Sequence, residues 1–286
     1  MNRRFLPFAI ILFFLVSASS CRRYFQFRAS DTQIYRNFKK KDIAVKVLYY
    51  ESNGIKIRYL VTGDSMKPAL VFVHGAPSSI SVFNGFYWND SLQNNCEIWS
   101  LDRPGYGYSQ FGKALPSIEK QAQCIIPMLE KIGKNRKKIL LGTSYGGPIV
   151  AKIAALRPDL ADGLILAAPA VQPGEEKIYK ITYPTSSWLK WATPKMFRSA
   201  NQEKLAHKEE LNKMLPDWKK IKAPVIMIQG LADELVYPSN ILFLKKQLTQ
   251  TNLKVYAIRN QEHFLSWPQK KLITSCIFEM MEMIGK

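Results

Sequence analysis

From Ala44 onward the hydrophobic and polar positions follow a regular rhythm. Ala44–Tyr50 and Ile55–Thr62 read as strands, separated by the turn residues Ser52, Asn53 and Gly54. Ala69–Val73 is a continuous apolar run, the pattern of a strand buried on both faces, and Ile98–Leu101 repeats it. Ser117–Ile132 has helical spacing, with Ile118, Ala122, Ile125, Ile126 and Leu129 on one side. Lys138–Leu141 then predicts a strand, Gly146–Leu156 a helix and Leu164–Ala167 a further strand. Residues 172–222 break the rhythm. They hold no buried-strand run, are rich in Lys, Glu, Trp and Tyr, and look helical in pieces. The alternation resumes with Val225–Ile228, a helix opening at Pro238, the strand Leu253–Ile258 and a last helix from about Pro268, both prolines suiting first-turn positions. Strands alternating with helices predict an α/β fold: a mostly parallel sheet with helices on both faces. The insert at about 172–222 is a candidate cap within a domain spanning 44–286.

The N-terminus has a different pattern. Met1-Asn2-Arg3-Arg4 leads into the apolar run Phe5–Val16, and the small residues Ser17–Ser20 end at Cys21. A charged start, a short apolar run and a small-residue segment form a secretory signal pattern over residues 1–20. The run is shorter than the roughly 20 apolar residues of a membrane span, although an uncleaved anchor is the alternative. The segment ending in Cys21 resembles a bacterial lipoprotein processing site. By that resemblance Cys21 becomes the first mature residue and carries lipid. The protein would then be a membrane-anchored lipoprotein of the bacterial cell envelope.

Charge adds to this picture. Forty-one basic residues against 22 acidic ones give a net charge of +19 over 286 residues. Such a bias favours anionic surroundings, either nucleic acid or anionic lipid. The stretch 21–43 holds Arg22, Arg23, Arg28, Arg36, Lys39, Lys40 and Lys41, opposed only by Asp31 and Asp42. It reads as a basic tether beside an anionic bilayer, where each basic residue contributes about 1 kcal/mol. No zinc-finger spacing or glycine–aromatic signature accompanies the charge, so no nucleic-acid partner is expected. A hydrophobic fraction of 47% excludes a disordered chain. Four cysteines are too few for a disulfide-built scaffold, and Cys96, Cys124 and Cys276 read as buried thiols.

The candidate chemistry sits at the ends of predicted strands. Gly142-Thr143-Ser144-Tyr145-Gly146 is a G-x-S-x-G segment between the strand ending at Leu141 and the helix beginning near Gly146. That setting makes Ser144 a candidate nucleophile on a strained, exposed turn. A serine needs a base, and the chain has three histidines. His74 directly follows a strand, His207 lies beside Lys208 in the charged insert and reads as a surface residue, and His263 follows the strand Leu253–Ile258. His263 is the best placed. The base in turn needs a carboxylate to fix its tautomer. Asp233, Glu234 and Glu262 are near in sequence, and Asp233, just past the strand ending at Ile228, is the favoured one.

With these residues in the order Ser144, Asp233, His263, the chain resembles the α/β-hydrolase family over roughly 44–286. His74-Gly75-Ala76-Pro77 resembles that family's H-G-x-P segment, and Asp102–Ser109 its D-x-x-G-x-G-x-S loop. The resemblance implies a catalytic triad of Ser144, Asp233 and His263, and an oxyanion hole formed by the backbone N–H groups of Ala76 and Tyr145. His74 would brace its loop, and the Asp102–Ser109 loop would be structural. One departure is Glu262, which stands where the family often has glycine before the catalytic histidine. A second is the short insert, which implies a small lid. Its aromatic residues Tyr179, Tyr183, Trp188, Trp191 and Phe197 would pack the lid onto the core, or alternatively line an acyl pocket.

The implied activity is serine hydrolysis of a small-molecule carboxylic ester or acyl substrate, with no metal or organic cofactor. The Ser-triad acyltransferases, aminopeptidases and C–C hydrolases remain alternatives, as does a catalytically silent ligand-binding member of the fold.

Overall fold

The computed structural model describes residues 27–265 and 268–285. The signal segment 1–20, the lipidation candidate Cys21 and the start of the basic stretch lie outside these residues.

Eight strands form one sheet in the order β1-β2-β4-β3-β5-β6-β7-β8. They are β1 (Val45–Ser52), β2 (Ile55–Gly63), β3 (Ala69–Val73), β4 (Glu97–Leu101), β5 (Lys138–Thr143), β6 (Gly163–Ala167), β7 (Val225–Gly230) and β8 (Leu253–Ile258). Strand β2 pairs antiparallel with both β1 and β4, and every other pairing is parallel. The sheet is therefore mostly parallel, as the alternation of elements predicts. Side chains alternate across it: Val71 and Val73 of β3 join one core, Leu70 and Phe72 the other. On the first face the sheet is covered by α2 (Ile118–Glu130), α3 (Gly146–Leu156) and α5 (Asn240–Gln247). On the second it is covered by α1 (Asp31–Lys39), residues 80–87 and α6 (Lys270–Met283). With both faces covered, β3 to β7 are buried along nearly their whole length, which is why they read as unbroken apolar runs.

The expectation of a basic tether as far as residue 43 is corrected by α1. Ser30 caps this helix: its Oγ accepts the Gln33 backbone N–H, and the Gln33 side chain accepts the Ser30 N–H. Ile34 and Phe38, one turn apart, are buried against the second core. Asp31 accepts from the buried Arg58 guanidinium at 2.9 Å and from the Tyr49 hydroxyl at 2.8 Å. Of the basic residues in this stretch, Arg36 and Lys39 lie on the exposed face of α1, and Lys40 and Lys41 follow it in an exposed turn. The Ser30-x-x-Gln33 capping pattern is the local signal for the helix.

The insert between β6 and β7 is helical in pieces, as expected: a short turn of helix at Thr182–Ser186, then one 20-residue helix, α4 (Lys195–Met214), and a 3-10 turn at Leu215–Lys220. Met196, Ser199, Ala200, Glu203, His207, Leu211 and Met214 share the buried face of α4. Four of these seven are polar or small, so the stripe is weakly hydrophobic and the helix carries little apolar periodicity. The three thiols Cys96, Cys124 and Cys276 are buried, as expected. Burial pushes Cys96 and Cys276 up to about 12, which leaves both protonated at neutral pH. Among the described residues, no helix is long and apolar enough to cross a membrane.

Candidate active site

Strand β5 ends at Thr143, and α3 begins at Gly146. The turn between them holds Ser144 at a φ of +50°, in the left-handed region that costs a non-glycine residue about 1–3 kcal/mol. Hydrogen bonds fix it there: the Ser144 N–H donates to Ala167 O at 2.9 Å, and Ser144 O accepts the Gly147 N–H at 2.9 Å. The flanking glycines are required by close approach. A Cβ on Gly146 would lie 2.2 Å from Val73 O, and one on Gly142 would lie 2.4 Å from Gly146 O. Hydrogen at Gly142 lets the elbow close on itself, and hydrogen at Gly146 lets it sit flush on β3.

The structure brings Ser144, His263 and Asp233 together from three separate strand ends. Ser144 Oγ lies 3.0 Å from His263 Nε2, and His263 Nδ1 lies 2.8 Å from Asp233 Oδ2. Asp233 is buried, and its other oxygen, Oδ1, accepts the backbone N–H groups of Leu235 at 2.9 Å and Val236 at 2.8 Å. A fourth donor comes from a residue that no motif singles out. Gln229, buried at the end of β7, donates its Nε2 to Asp233 Oδ2 at 3.1 Å. Every donor around this carboxylate suits an ionised acceptor. That places the imidazole proton on Nδ1 and leaves Nε2 free to accept the Ser144 hydroxyl. Glu234 and Glu262 take no part. Glu234 is 83% exposed and faces Lys177 at 3.5 Å, and Glu262 is exposed.

Gly75 packs directly on the nucleophile: a Cβ added to it would meet Ser144 Cβ at 2.9 Å. The adjacent Ala76 and the elbow residue Tyr145 carry the two expected oxyanion donors. Among the described residues, neither backbone N–H has a hydrogen-bond acceptor. The loop bearing Ala76 is held from beneath. His74 donates Nδ1–H to Gly75 O at 2.7 Å and accepts the Arg103 backbone N–H on Nε2 at 3.0 Å. Burial, reinforced by the Arg103 charge, holds its pKa well below the usual imidazole range, so it is a neutral brace.

Arg103 donates Nε–H to His74 O at 2.8 Å and Nη2–H to Gly75 O at 3.0 Å. Its charge is met by Glu203, which reaches in from α4 at 2.7 Å and also accepts from Tyr106 Oη and Gln121 Nε2. Arg103 and Glu203 are both fully buried. The cap helix is thus latched to the loop that carries Ala76. Removing one partner of a buried pair strands the other charge, so Glu203→Ala is expected to destabilise the protein by about 3–5 kcal/mol. The check is urea denaturation, with a lowered midpoint at unchanged slope. A loss under about 1 kcal/mol would show that the latch carries no stability.

His207 is not the surface residue that its polar neighbours suggest. It is fully buried, stacks on Tyr145 with ring centroids 4.6 Å apart, and places Nδ1 2.7 Å from Glu176 Oε1. Consecutive helix residues point about 100° apart, so Lys208 carries no information about the face His207 occupies. Burial works to raise the Glu176 carboxyl, but His207 and Lys204 outweigh it and hold the pKa below the usual range. The lid aromatics also depart from expectation. Trp188 is 71% and Trp191 74% exposed, with Tyr179 and Tyr183 exposed as well, so these four do not pack the lid onto the core.

Comparisons with known proteins agree with this fold. A family model for the alpha/beta hydrolase fold matches residues 68–210. A 1-acylglycerol-3-phosphate O-acyltransferase of Arabidopsis thaliana is 31% identical over 139 residues, covering 44% of this chain and 31% of that protein. A monoacylglycerol lipase of Rattus norvegicus is 24% identical over 222 residues, covering 74% of this chain and 62% of that one. The chain spans about a third of the length of the plant relatives it matches. Among solved structures, a membrane phospholipase A described as a bacterial virulence factor superposes with a TM-score of 0.66 at 18% identity, covering 99% of each chain.

Proposed function

The chain belongs to the α/β-hydrolase fold family, and from that premise we propose that it is a serine hydrolase cleaving a carboxylic ester through an acyl-enzyme on Ser144. The observation that carries this reading is the unbroken hydrogen-bonded chain from Ser144 Oγ through His263 to the buried Asp233 carboxylate. Ser144 Oγ attacks the ester carbonyl carbon as His263 Nε2 takes its proton. The backbone N–H groups of Ala76 and Tyr145 stabilise the tetrahedral oxyanion, each such donor being worth about 3–4 kcal/mol. The imidazolium, held by Asp233, returns the proton to the leaving alcohol as the C–O bond breaks. Water then attacks the acyl-enzyme with His263 as base and frees the acid and Ser144. Within this fold, enzymes with an aspartate nucleophile form a different ester intermediate, and a serine at the elbow argues against that chemistry here.

A fluorophosphonate probe tests the reading, because only an activated serine labels. Labelling at Ser144, with turnover of p-nitrophenyl esters of graded acyl length, is the expected result. Absence of both supports the silent ligand-binding alternative. The similarity to a plant acyltransferase favours a second outcome in which an alcohol, instead of water, resolves the acyl-enzyme. Product analysis with added glycerol separates the two, since transfer yields a glycerol ester in place of free acid.

For the N-terminus the reading is a lipid anchor on Cys21, supported by the small-residue segment that ends there. The protein should incorporate radiolabelled fatty acid and fractionate with membranes, and Cys21→Ser should lose the label. Equal labelling of the variant would show that the anchor is elsewhere.

A further inference from the structure

The cap segment between Glu176 and α4 inverts the usual arrangement of side chains. Its small polar residues face inward: Thr182 and Thr193 are buried. Thr193 Oγ1 donates to Leu189 O at 3.0 Å, Asn201 Nδ2 donates to Thr185 Oγ1 at 2.8 Å, and the Arg198 guanidinium donates to Thr193 O and Trp191 O. Its large apolar residues face outward: Tyr179, Ile181, Tyr183, Trp188 and Trp191 are all exposed. Folding leaves single hydrophobic residues in water routinely. A concentration of two tryptophans, two tyrosines and an isoleucine within 13 residues, on a backbone pinned from inside, marks an interaction surface.

The charges in this segment select the partner. Residues 177–202 contain Lys177, Lys180, Lys190, Lys195 and Arg198, and no aspartate or glutamate. Lys180, Lys190 and Lys195 are exposed beside the aromatics. Tryptophan and tyrosine partition to the headgroup level of a bilayer, and lysines beside them meet anionic lipid. A protein partner with an apolar patch would not account for this one-signed charge as well as a bilayer does. The segment is also joined to the active site. Glu176 pairs with Val236, and the Lys177 N–H donates to Leu235 O at 2.9 Å, on the loop whose N–H groups hold Asp233. Phe264, next to His263, is a further large apolar side chain left 71% exposed.

We propose that this cap segment docks on an anionic bilayer surface, with Trp188 and Trp191 seated at headgroup depth and Lys180, Lys190 and Lys195 against lipid phosphates. This contact is separate from any N-terminal anchor and brings the Asp233 loop to the membrane.

The test uses the full chain with vesicles of phosphatidylglycerol and phosphatidylcholine carrying brominated acyl chains, which quench tryptophan only at contact depth. All forms carry Trp88→Phe and Trp267→Phe, so that Trp188 and Trp191 are the emitters beside the buried Trp99 and Trp218. This parent form should be strongly quenched. Adding Trp188→Phe with Trp191→Phe keeps the apolar surface and should lose most of the quenchable emission. Replacing Lys180, Lys190 and Lys195 with Gln should weaken docking on the order of a hundredfold at low salt and reduce its salt dependence. Two results overturn the proposal. One is quenching that is absent in the parent form or equal in the variant lacking Trp188 and Trp191. The other is a dimer in lipid-free solution that Trp188→Ser dissociates, with no quenching on vesicles, which would make the patch a contact between copies. The readout does not involve Ser144, so its failure leaves the ester-cleavage reading intact.

Discussion

Ser144→Ala is expected to lower kcat for ester hydrolysis on the order of 10⁴- to 10⁶-fold while leaving the fold intact. The oxygen removed is the end of the hydrogen-bonded chain and holds up no other part of the structure. Ser144 is fixed by its backbone, through Ala167 O and the Gly147 N–H, so alanine keeps the elbow. The left-handed φ of +50° persists in alanine, so thermal stability should change little. Ser144→Gly separates strain from chemistry. Glycine tolerates that backbone conformation, and this variant should be equally inactive yet more stable by about 1 kcal/mol. Steady-state kinetics and thermal denaturation of the two variants check both halves. Residual turnover within about tenfold of wild type in either variant would remove Ser144 from the mechanism.

Asp233→Asn is expected to cost about four orders of magnitude in kcat with the fold retained. The hydrogen bonds around the carboxylate make so conservative a change damaging. Oδ1 accepts two backbone N–H groups, from Leu235 and Val236, so the carbonyl of an asparagine is held in that position. Its NH2 must then replace Oδ2, facing both His263 Nδ1 and the Gln229 amide. A donor now meets the imidazole where an acceptor stood. The ring proton moves to Nε2 and points at Ser144, which leaves no base for the hydroxyl. The facing amide of Gln229 adds a donor–donor clash. Glu234→Gln and Glu262→Gln should each cost less than about tenfold, since both side chains are exposed and away from the ring. Measuring kcat for the three variants on one ester decides which acid serves His263. A crippled Glu262→Gln would move the acid role there.

The parallel sheet is legible in the order of residues because its interior strands are buried on both faces. A continuous apolar run as short as Ala69–Val73 suits a strand covered on both sides and is too short for a buried helix. Ser144, Asp233 and His263 are legible for a related reason. Each follows a strand, and the parallel arrangement carries all those ends to one edge of the sheet. Motif spacing and local periodicity suffice to name them.

Other features depend on contacts far along the chain. Glu203 meets Arg103 across 100 positions, and both are charged residues that composition assigns to the surface. His207 reads as exposed because the burial of α4 is set by which face meets Tyr145, and its sequence has too weak an apolar stripe to reveal that face. Gln229 looks like an ordinary strand-end amide until the Asp233 loop folds back over it. Helix α1 is hidden in a basic stretch whose anchor, Arg58, lies on β2. Periodicity reports how much water a segment as a whole will exclude, and so settles elements and strand ends. A buried charge or histidine is tolerated only when a particular partner arrives to satisfy it, and only the tertiary structure decides which partner that is.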